Sequence, residues 1–221
     1  AGVITVFAQE EADNQFADMS LGQLMNINIE VTSVAGVGQS WFTTPAAMYV
    51  ITNEDIRRSG HRSLAEVLRL VPGMNVGQIS SSQHAISARG FNQSFANKLQ
   101  VLVDGRVAYN SMFSGVFWDI QDIMLEDIDR IEVIRGPGAT LWGANAVNGV
   151  INVTTKSAHD TQGLYITGGT GTEQRGFGEV RYGGMLGENV AYRLWGKYFS
   201  QDGLESTTGG GRPDDWDFAH G

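Results

Sequence analysis

The chain has 221 residues, a net charge of −9, 42% hydrophobic residues and no cysteine. The ordinary apolar content argues against disorder, the acidic balance argues against a basic nucleic-acid-binding surface, and the lack of cysteine excludes disulfides and thiolate metal ligands. No stretch approaches the roughly 18 consecutive apolar residues of a spanning helix, so a membrane would have to be crossed by β-strands.

The first eight residues are apolar and end in Val6-Phe7-Ala8, just before the acidic Glu10. This pattern is typical of the end of a secretory signal and predicts a signal-peptide remnant over 1–8, with cleavage after Ala8. An edge strand is the alternative, because the basic start of a signal peptide is not seen. Residues 9–38 are predicted to form a flexible arm, since their apolar positions are scattered.

One segment of this arm alternates like a strand, but Gly36 and Gly38 follow at once and leave it little to pair with. An extended segment on a flexible tether is suited to adding a strand to another protein's sheet edge. We interpret it as a partner-binding segment, with the first strand of the globular domain as the alternative. Its residues are Glu30, Val31, Thr32, Ser33 and Val34.

The globular part opens with a short predicted strand over 48–51. Thr52 and Asp55 then form a capping pattern for a helix that Gly60 ends. Ser63 opens a second predicted helix, in a capping box with Glu66, and this helix ends at Pro72-Gly73.

A hairpin signal and an acidic run come next. Asp104-Gly105 separates two apolar runs, which predicts a tight β-hairpin. The acidic run over 119–129 lacks the glycine and terminal glutamate of a calcium loop. We therefore favour a short solvated helix there over a cation site.

Two β-branched runs, 131–134 and 150–155, flank a glycine-rich stretch, which predicts a buried strand, a shaped loop and a second strand. Gly138 and Gly143 have the spacing of a phosphate-cradling loop. However, Ala144 and Asn145 stand where Lys and Ser/Thr would have to hold phosphate and magnesium. The loop therefore lacks the side chains that nucleotide binding would require.

From Gly163 onward the pattern alternates. Over 189–200, Val190 and Leu194 lie on one strand face, while Arg193 and Lys197 lie on the other. Strands of a membrane barrel show this pattern, and so does a water-soluble antiparallel sheet, so the two interpretations stay open on this signal alone.

The segment 130–156 closely resembles the end of the plug domain of TonB-dependent outer-membrane receptors. The family's elements stand in order: an Arg-Ile-Glu-Val strand, Arg-Gly-Pro, a Trp-Gly pair, an Asn-Ala pair and Gly-Val-Ile-Asn. Earlier pieces match as well, among them Ala-Arg-Gly-Phe at 88–91 and Val-Asp-Gly at 103–105. The resemblance covers about residues 29 to 158.

The resemblance implies an α+β plug domain over 39–158, a small mixed sheet with short helices. It implies that 159–221 holds the first antiparallel strands of a 22-stranded transmembrane β-barrel, so that the chain is expected to be truncated, with an extracellular loop from 201 to about 214.

The implied function is that of a receptor for active uptake of a scarce nutrient chelate: a ferric siderophore, haem or cobalamin. Its implied place is the outer membrane of a Gram-negative bacterium, with the plug inside the barrel, lipid around the wall and the arm in the periplasm. The segment 30–34 would be the TonB box, gripped by a TonB-type energy-transducing protein. The alternative is a soluble periplasmic plug-like binding or adaptor module.

No catalytic constellation is seen, and neither a cofactor nor a resident metal is predicted, because the four histidines are scattered and most are expected at the surface. Charges on the predicted sheet need partners. Arg130, Glu132 and Arg135 are therefore expected to latch the plug to the barrel wall. The loops 77–83, 91–96 and 109–117 carry aromatic residues suited to a large ligand, although core packing is the alternative for at least half of them. The candidates are Phe91, Phe95, Tyr109 and Phe113.

Overall fold

The structure is a computed structural model that describes residues 3–7, 30–31, 39–40, 47–110, 112, 115–137, 139–187, 189–204 and 215–221. Two compact units divide the chain: residues 30–156 form one, and 1–29 with 157–221 form the other. The described strands are β1 Val3–Phe7, β2 Glu30–Val31, β3 Gln39–Ser40, β4 Met48–Thr52, β5 Met74–Gln78, β6 His84–Ala88, β7 Leu99–Val103, β8 Arg106–Val107, β9 Tyr109–Asn110, β10 Gly115–Val116, β11 Ile128–Ile134, β12 Gly149–Thr155, β13 Gly163–Gly169, β14 Gln174–Leu186, β15 Val190–Gln201 and β16 Trp216–His220. The described helices are α1 Asn53–Ser59, α2 Leu64–Val67 and α3 Ala139–Trp142, with 3₁₀ turns at Leu68–Leu70 and Leu125–Asp127.

The unit of residues 30–156 is built on a five-stranded mixed sheet in the order β4-β11-β12-β7-β8. Strand β11 pairs antiparallel with β4 and β12, whereas β12 pairs parallel with β7. The middle strands are covered on both faces, so that Ile131, Val133, Ile151 and Val153 are fully buried. This agrees with their nearly continuous apolar sequence.

Helix α1 has the predicted ends. The Thr52 hydroxyl accepts the backbone N–H of Asp55, and the Asp55 carboxylate accepts the backbone N–H of Thr52 at 2.9 Å. Gly60 ends the helix with φ 71°, a left-handed conformation that glycine adopts without strain.

Helix α2 is shorter than predicted and passes into a 3₁₀ turn after four residues. The Ser63 hydroxyl accepts the Glu66 N–H at 3.2 Å, as a cap should. The Glu66 carboxylate, however, accepts the N–H of Arg62 at 3.1 Å, one residue before the predicted partner. The cap therefore forms, but without the predicted reciprocal geometry.

The acidic run before β11 was expected to be a solvated helix, and this is wrong for two of its residues. Asp127 is buried, and Glu126 lies 3.7 Å from Arg57 and 3.8 Å from Lys156. The cause is a long-range contact: the side chain of Asn53, at the start of α1, donates to backbone carbonyls of the 3₁₀ turn and of β11. These hydrogen bonds hold the end of the acidic run against the start of α1.

The other unit is an antiparallel sheet in the order β1-β13-β14-β15-β16. Val3 pairs with Gly169 and Phe7 with Tyr165, so the first residues form the edge strand that was the alternative to a signal remnant. Cleavage after Ala8 stays a prediction. The β14–β15 hairpin turns at Gly187, whereas β16 was not among the predicted elements.

The two faces of this sheet differ in chemistry. Leu164, Ile166, Val180 and Leu194 are all exposed on one face. Lys197 is buried on the other, with its Nζ atom 3.5 Å from a carboxylate oxygen of Glu179. The alternation read from the sequence is therefore present. Within the described part of the chain, no helix has the length and apolar character needed to cross a membrane.

Candidate functional site

The three loops predicted to meet a ligand lie beside one another in their described parts. The central loop, 91–96, contacts both of the others. Asn92 Nδ2 lies 3.7 Å from the position that a Cβ atom on Gly77 would take, and Phe95 Cβ lies 2.7 Å from the equivalent position on Gly115. Gly115 therefore has no room for a side chain, and the loops form one surface.

The four predicted ligand residues differ in exposure. Phe91 is 74% exposed, whereas the half-buried Phe95 packs edge-on against Phe117 with ring centroids 5.0 Å apart. Tyr109 is half-buried on β9 opposite Val116. Phe113 lies outside the described residues. Of the described three, Phe91 is the most available to a ligand, and Phe95 has a packing role.

Two aliphatic side chains extend this surface and were missed by the sequence analysis. Ile79 is exposed on the loop between β5 and β6, and Met112 is 81% exposed between β9 and β10. Among the described residues, each of the three loops thus presents a large exposed apolar side chain. An isolated aliphatic residue in a loop gives no periodic signal, and only the fold shows that the loops carrying these residues lie beside one another.

Arg130 and Glu132 lie on the same face of β11 and bind each other. The Arg130 Nε atom donates to Glu132 at 2.8 Å, and its Nη1 atom donates to Asp129 at 2.6 Å. Glu132 is fully buried. Burial acts to lower the pKa of Arg130, but the hydrogen bonds and negative charges of Glu132 and Asp129 outweigh it, so the pKa is raised above its ordinary value. These two latch candidates are therefore already paired within the unit, and partners on a barrel wall stay a prediction.

Arg135, the third latch candidate, binds a backbone carbonyl. Its Nη1 atom donates to the carbonyl of Pro72 at 2.5 Å, beside Gly73 at the end of the α2 segment. The buried Nε atom of Arg135 has no hydrogen-bond partner among the described residues. The side chain thus links the end of β11 to the backbone that follows α2, while its Nε–H donor has no partner among the described residues.

The predicted partner-binding segment is described only at its start. Glu30 pairs with Ser40 and Val31 with Gln39 in a two-residue antiparallel ladder. Thr32, Ser33 and Val34 lie outside the described residues. The segment's contact with another protein stays a prediction.

His84 is buried, whereas His159 and His220 are exposed and His61 is half-buried. His84 opens β6, directly after the loop that carries Ile79, and its Nε2 atom is unpartnered among the described residues. Burial lowers the pKa of His84 below its ordinary value of 6.5; Glu66 and Asp119 oppose this shift and Arg69 adds to it. The imidazole is therefore held neutral under the loop.

The fold agrees with comparisons to known proteins. A profile of the TonB-dependent Receptor Plug Domain matches residues 40–150. The chain belongs to the TonB-dependent receptor plug family, and the predicted fold class, a mixed plug sheet with short helices followed by antiparallel strands, is confirmed.

Individual relatives are receptors and transporters. The chain is 38% identical over 130 residues to the vitamin B12 transporter BtuB of Vibrio vulnificus, covering 58% of this chain and 20% of that protein. It is 32% identical over 130 residues to the vitamin B12 transporter BtuB of Vibrio cholerae, covering 59% of this chain and 21% of that one. The chain thus spans about a fifth of the length of these relatives.

Solved structures show the same fold. The pyoverdine outer membrane receptor FpvA of Pseudomonas aeruginosa PAO1 superposes with a TM-score of 0.64 at 24% identity, over 78% of this chain and 25% of that one. The siderophore receptor PirA of Pseudomonas aeruginosa gives a TM-score of 0.52 at 29% identity, over 71% of this chain and 28% of that one.

Proposed function

We propose that the chain is the plug and the first wall strands of an outer-membrane receptor that takes up a scarce nutrient chelate of the cobalamin, ferric siderophore or haem type. The observation that carries this proposal is the difference between the two faces of β13–β15. Apolar side chains such as Leu164 and Leu194 are exposed on one face, while charged Glu179 and Lys197 pair on the other. A barrel wall places the first kind against lipid and the second in the lumen.

The ligand surface is formed by the three loops that carry Ile79, Phe91 and Met112. Their exposed apolar side chains suit a large ligand with an apolar face, which loses contact with water when it binds. The names of the relatives, vitamin B12 transporters and siderophore receptors, support ligands of this size.

The energy comes from a TonB-type partner that binds the segment 30–34 by strand addition. Support comes from the described start of this segment, where Glu30 and Val31 are extended and pair with β3. The loop over 138–145 also lacks the lysine that nucleotide binding would need.

The first test concerns the wall. Leu194→Arg places a charge on the exposed apolar face, where a bilayer would penalise it by roughly 2–4 kcal/mol near its midplane. We expect this variant to be lost from the outer-membrane fraction of cells making the full-length protein. Trp195→Arg, adjacent in the same strand but on the opposite face, is the matched control and should insert normally. Equal insertion of both variants, or a wild-type protein that stays soluble in the periplasm, would favour the adaptor module.

The second test concerns uptake. Cells that depend on the full-length protein should accumulate radiolabelled cyanocobalamin or a ferric siderophore. Val31→Pro removes a backbone donor and should abolish accumulation while surface binding of the same probe persists. Normal accumulation by the Val31→Pro variant would contradict the role of the segment 30–34.

A further inference from the structure

Three consecutive residues between β6 and β7 have a left-handed backbone: Arg89 with φ 57°, Gly90 with φ 94° and Phe91 with φ 58°. Glycine adopts this region freely, but Arg and Phe are each held there at a cost of about 1 kcal/mol or more. Such strain persists only where neighbouring contacts maintain it. Burial of the Phe91 ring is not the compensation, because the ring is 74% exposed.

Asn148 makes a contact at each end of this loop. Its backbone N–H donates to the carbonyl of Lys98 at 2.8 Å, and its side-chain Nδ2 donates to the carbonyl of Gly90 at a longer 3.5 Å. These two carbonyls bracket residues 91–97. Asn148 therefore links the two ends of the loop 91–97 by hydrogen bonds.

Asn148 is itself held in place by the sheet. It precedes Gly149, the first residue of β12, which pairs with Leu99 at the start of β7. A Cβ atom on Gly149 would lie 2.4 Å from the Ile134 carbonyl oxygen, so the backbone here is closely packed. The anchor for the loop is thus a rigid part of the fold.

A second contact from the same connection lies on the Arg89 side. The Arg89 guanidinium lies over Gly136, 3.9 Å from the position that a Cβ atom there would take. Gly136 and Asn148 both belong to the glycine-rich connection between β11 and β12. This connection therefore supports the strained residues from two sides.

We propose that Asn148 is a positioning residue for the loop 91–97: it fastens both ends of the loop and so keeps Phe91 presented to the ligand. The inference rests on the proposed function, in which this loop contacts the nutrient chelate. Asn148 acts through the loop and does not touch the ligand.

These 221 residues contain no cysteine, so a cysteine introduced among them gives a single labelling site in this part of the protein. A nitroxide spin label on Phe91→Cys in the full-length protein reports the order of the loop without any ligand. Asn148→Ala removes the side-chain donor but keeps the N–H that binds Lys98, so a mobile spectral component should appear. Asn148→Asp keeps the shape but cannot donate, and should behave like the alanine variant. Asn145→Ala, in the same connection, is the matched control and should leave the label ordered.

Two further measurements distinguish a positioning role of Asn148 from a general loss of stability. A label on Val107→Cys, which is exposed on β8 outside the three loops, should keep its wild-type spectrum in the Asn148→Ala variant, because only the loop 91–97 loses its anchor. Affinity for cyanocobalamin or ferric pyoverdine, whichever the wild type binds, should fall several-fold while the melting temperature stays unchanged. If the wild type binds neither probe, the proposed function loses support but the spectra still decide the role of Asn148. An ordered Phe91 label in Asn148→Ala, or in Asn148→Asp, would overturn the inference.

Discussion

The carboxylate of Asp104 accepts both the backbone N–H and the hydroxyl of Thr155, at 2.8 and 2.9 Å. Asp104 is the first residue of the β7–β8 turn, with φ 47°, and its own N–H donates to the Val153 carbonyl at 2.9 Å. The turn is thereby fixed to the end of β12, the strand that pairs in parallel with β7. Asp104, whose residue type suits the local turn, thus also contacts a residue 51 positions away in the chain.

Asp104→Ala should lower the free energy of unfolding of the plug by about 2 kcal/mol, because two hydrogen bonds to a carboxylate are lost and alanine is strained at positive φ. Asp104→Asn should cost less, since asparagine tolerates this conformation and keeps an acceptor. Hydrogen exchange of the β12 amides in urea would measure both changes. An Asp104→Asn variant as unstable as Asp104→Ala would show that the charge, and not the turn geometry, carries the effect.

The buried pair of Arg130 and Glu132 predicts a larger loss. Glu132→Gln removes one of the two carboxylate charges that the half-buried Arg130 meets among the described residues, and should cost about 3 kcal/mol, as loss of a buried charge partner does. Arg58→Gln, which breaks the exposed pair with Glu54, is the control and should cost no more than about 0.5 kcal/mol. Equal losses in the two variants would contradict the stabilising role of burial at Glu132.

The latch hypothesis adds a functional readout for the same site. If Glu132 also holds the plug within the barrel, Glu132→Ala in the full-length receptor should raise passive leakage of large solutes across the outer membrane. Vancomycin sensitivity of the cells would measure this leakage. A destabilised plug with unchanged leakage would confine Glu132 to a role inside the plug.

Local signals predicted the elements whose ends are set by nearby residues. The Thr52 cap, the Gly60 stop and the Asp104-Gly105 hairpin all depend on contacts within a few residues, and all three are present. Sequence patterns did not predict the features that depend on a partner far away in the chain. Asn53 reaches β11 and the turn before it, which buries Asp127, and nothing near either residue in the chain signals this.

The candidate site was predictable in its residue types but not in its arrangement. Aromatic residues drew attention to the loop 91–96, yet exposure divides them, because Phe95 packs on Phe117 while Phe91 faces solvent. The anchor at Asn148 stayed hidden because it lies 58 residues from Gly90 in the chain. Family resemblance supplied the fold, whereas contacts of this kind had to come from the structure.

Gly149→Ala should be strongly destabilising. A Cβ atom there would lie 2.4 Å from the Ile134 carbonyl oxygen and 3.2 Å from Leu99, so the β11–β12 backbone pairing would have to separate. A loss of about 3 kcal/mol is expected, within the range for overpacking. Gly77→Ala, in β5, is the control, because its nearest neighbour would lie 3.7 Å away and φ is not positive. Chemical unfolding of both variants would check this, and a stable Gly149→Ala would show that the strands can move apart at little cost.

His84 should make the stability of the plug depend on pH. Burial lowers its folded pKa below the ordinary 6.5, with Arg69 adding to the shift and Glu66 and Asp119 opposing it, so the folded state favours the neutral imidazole. The stabilisation from neutral His84 is fully present above the unfolded pKa of 6.5 and is lost as pH falls from there through the lower folded pKa. The free energy of unfolding should therefore decline as the pH falls below 6.5, and His84→Gln should flatten this decline. His159→Gln removes an exposed imidazole and serves as the control. A wild-type decline that survives in His84→Gln would assign the pH dependence to other groups.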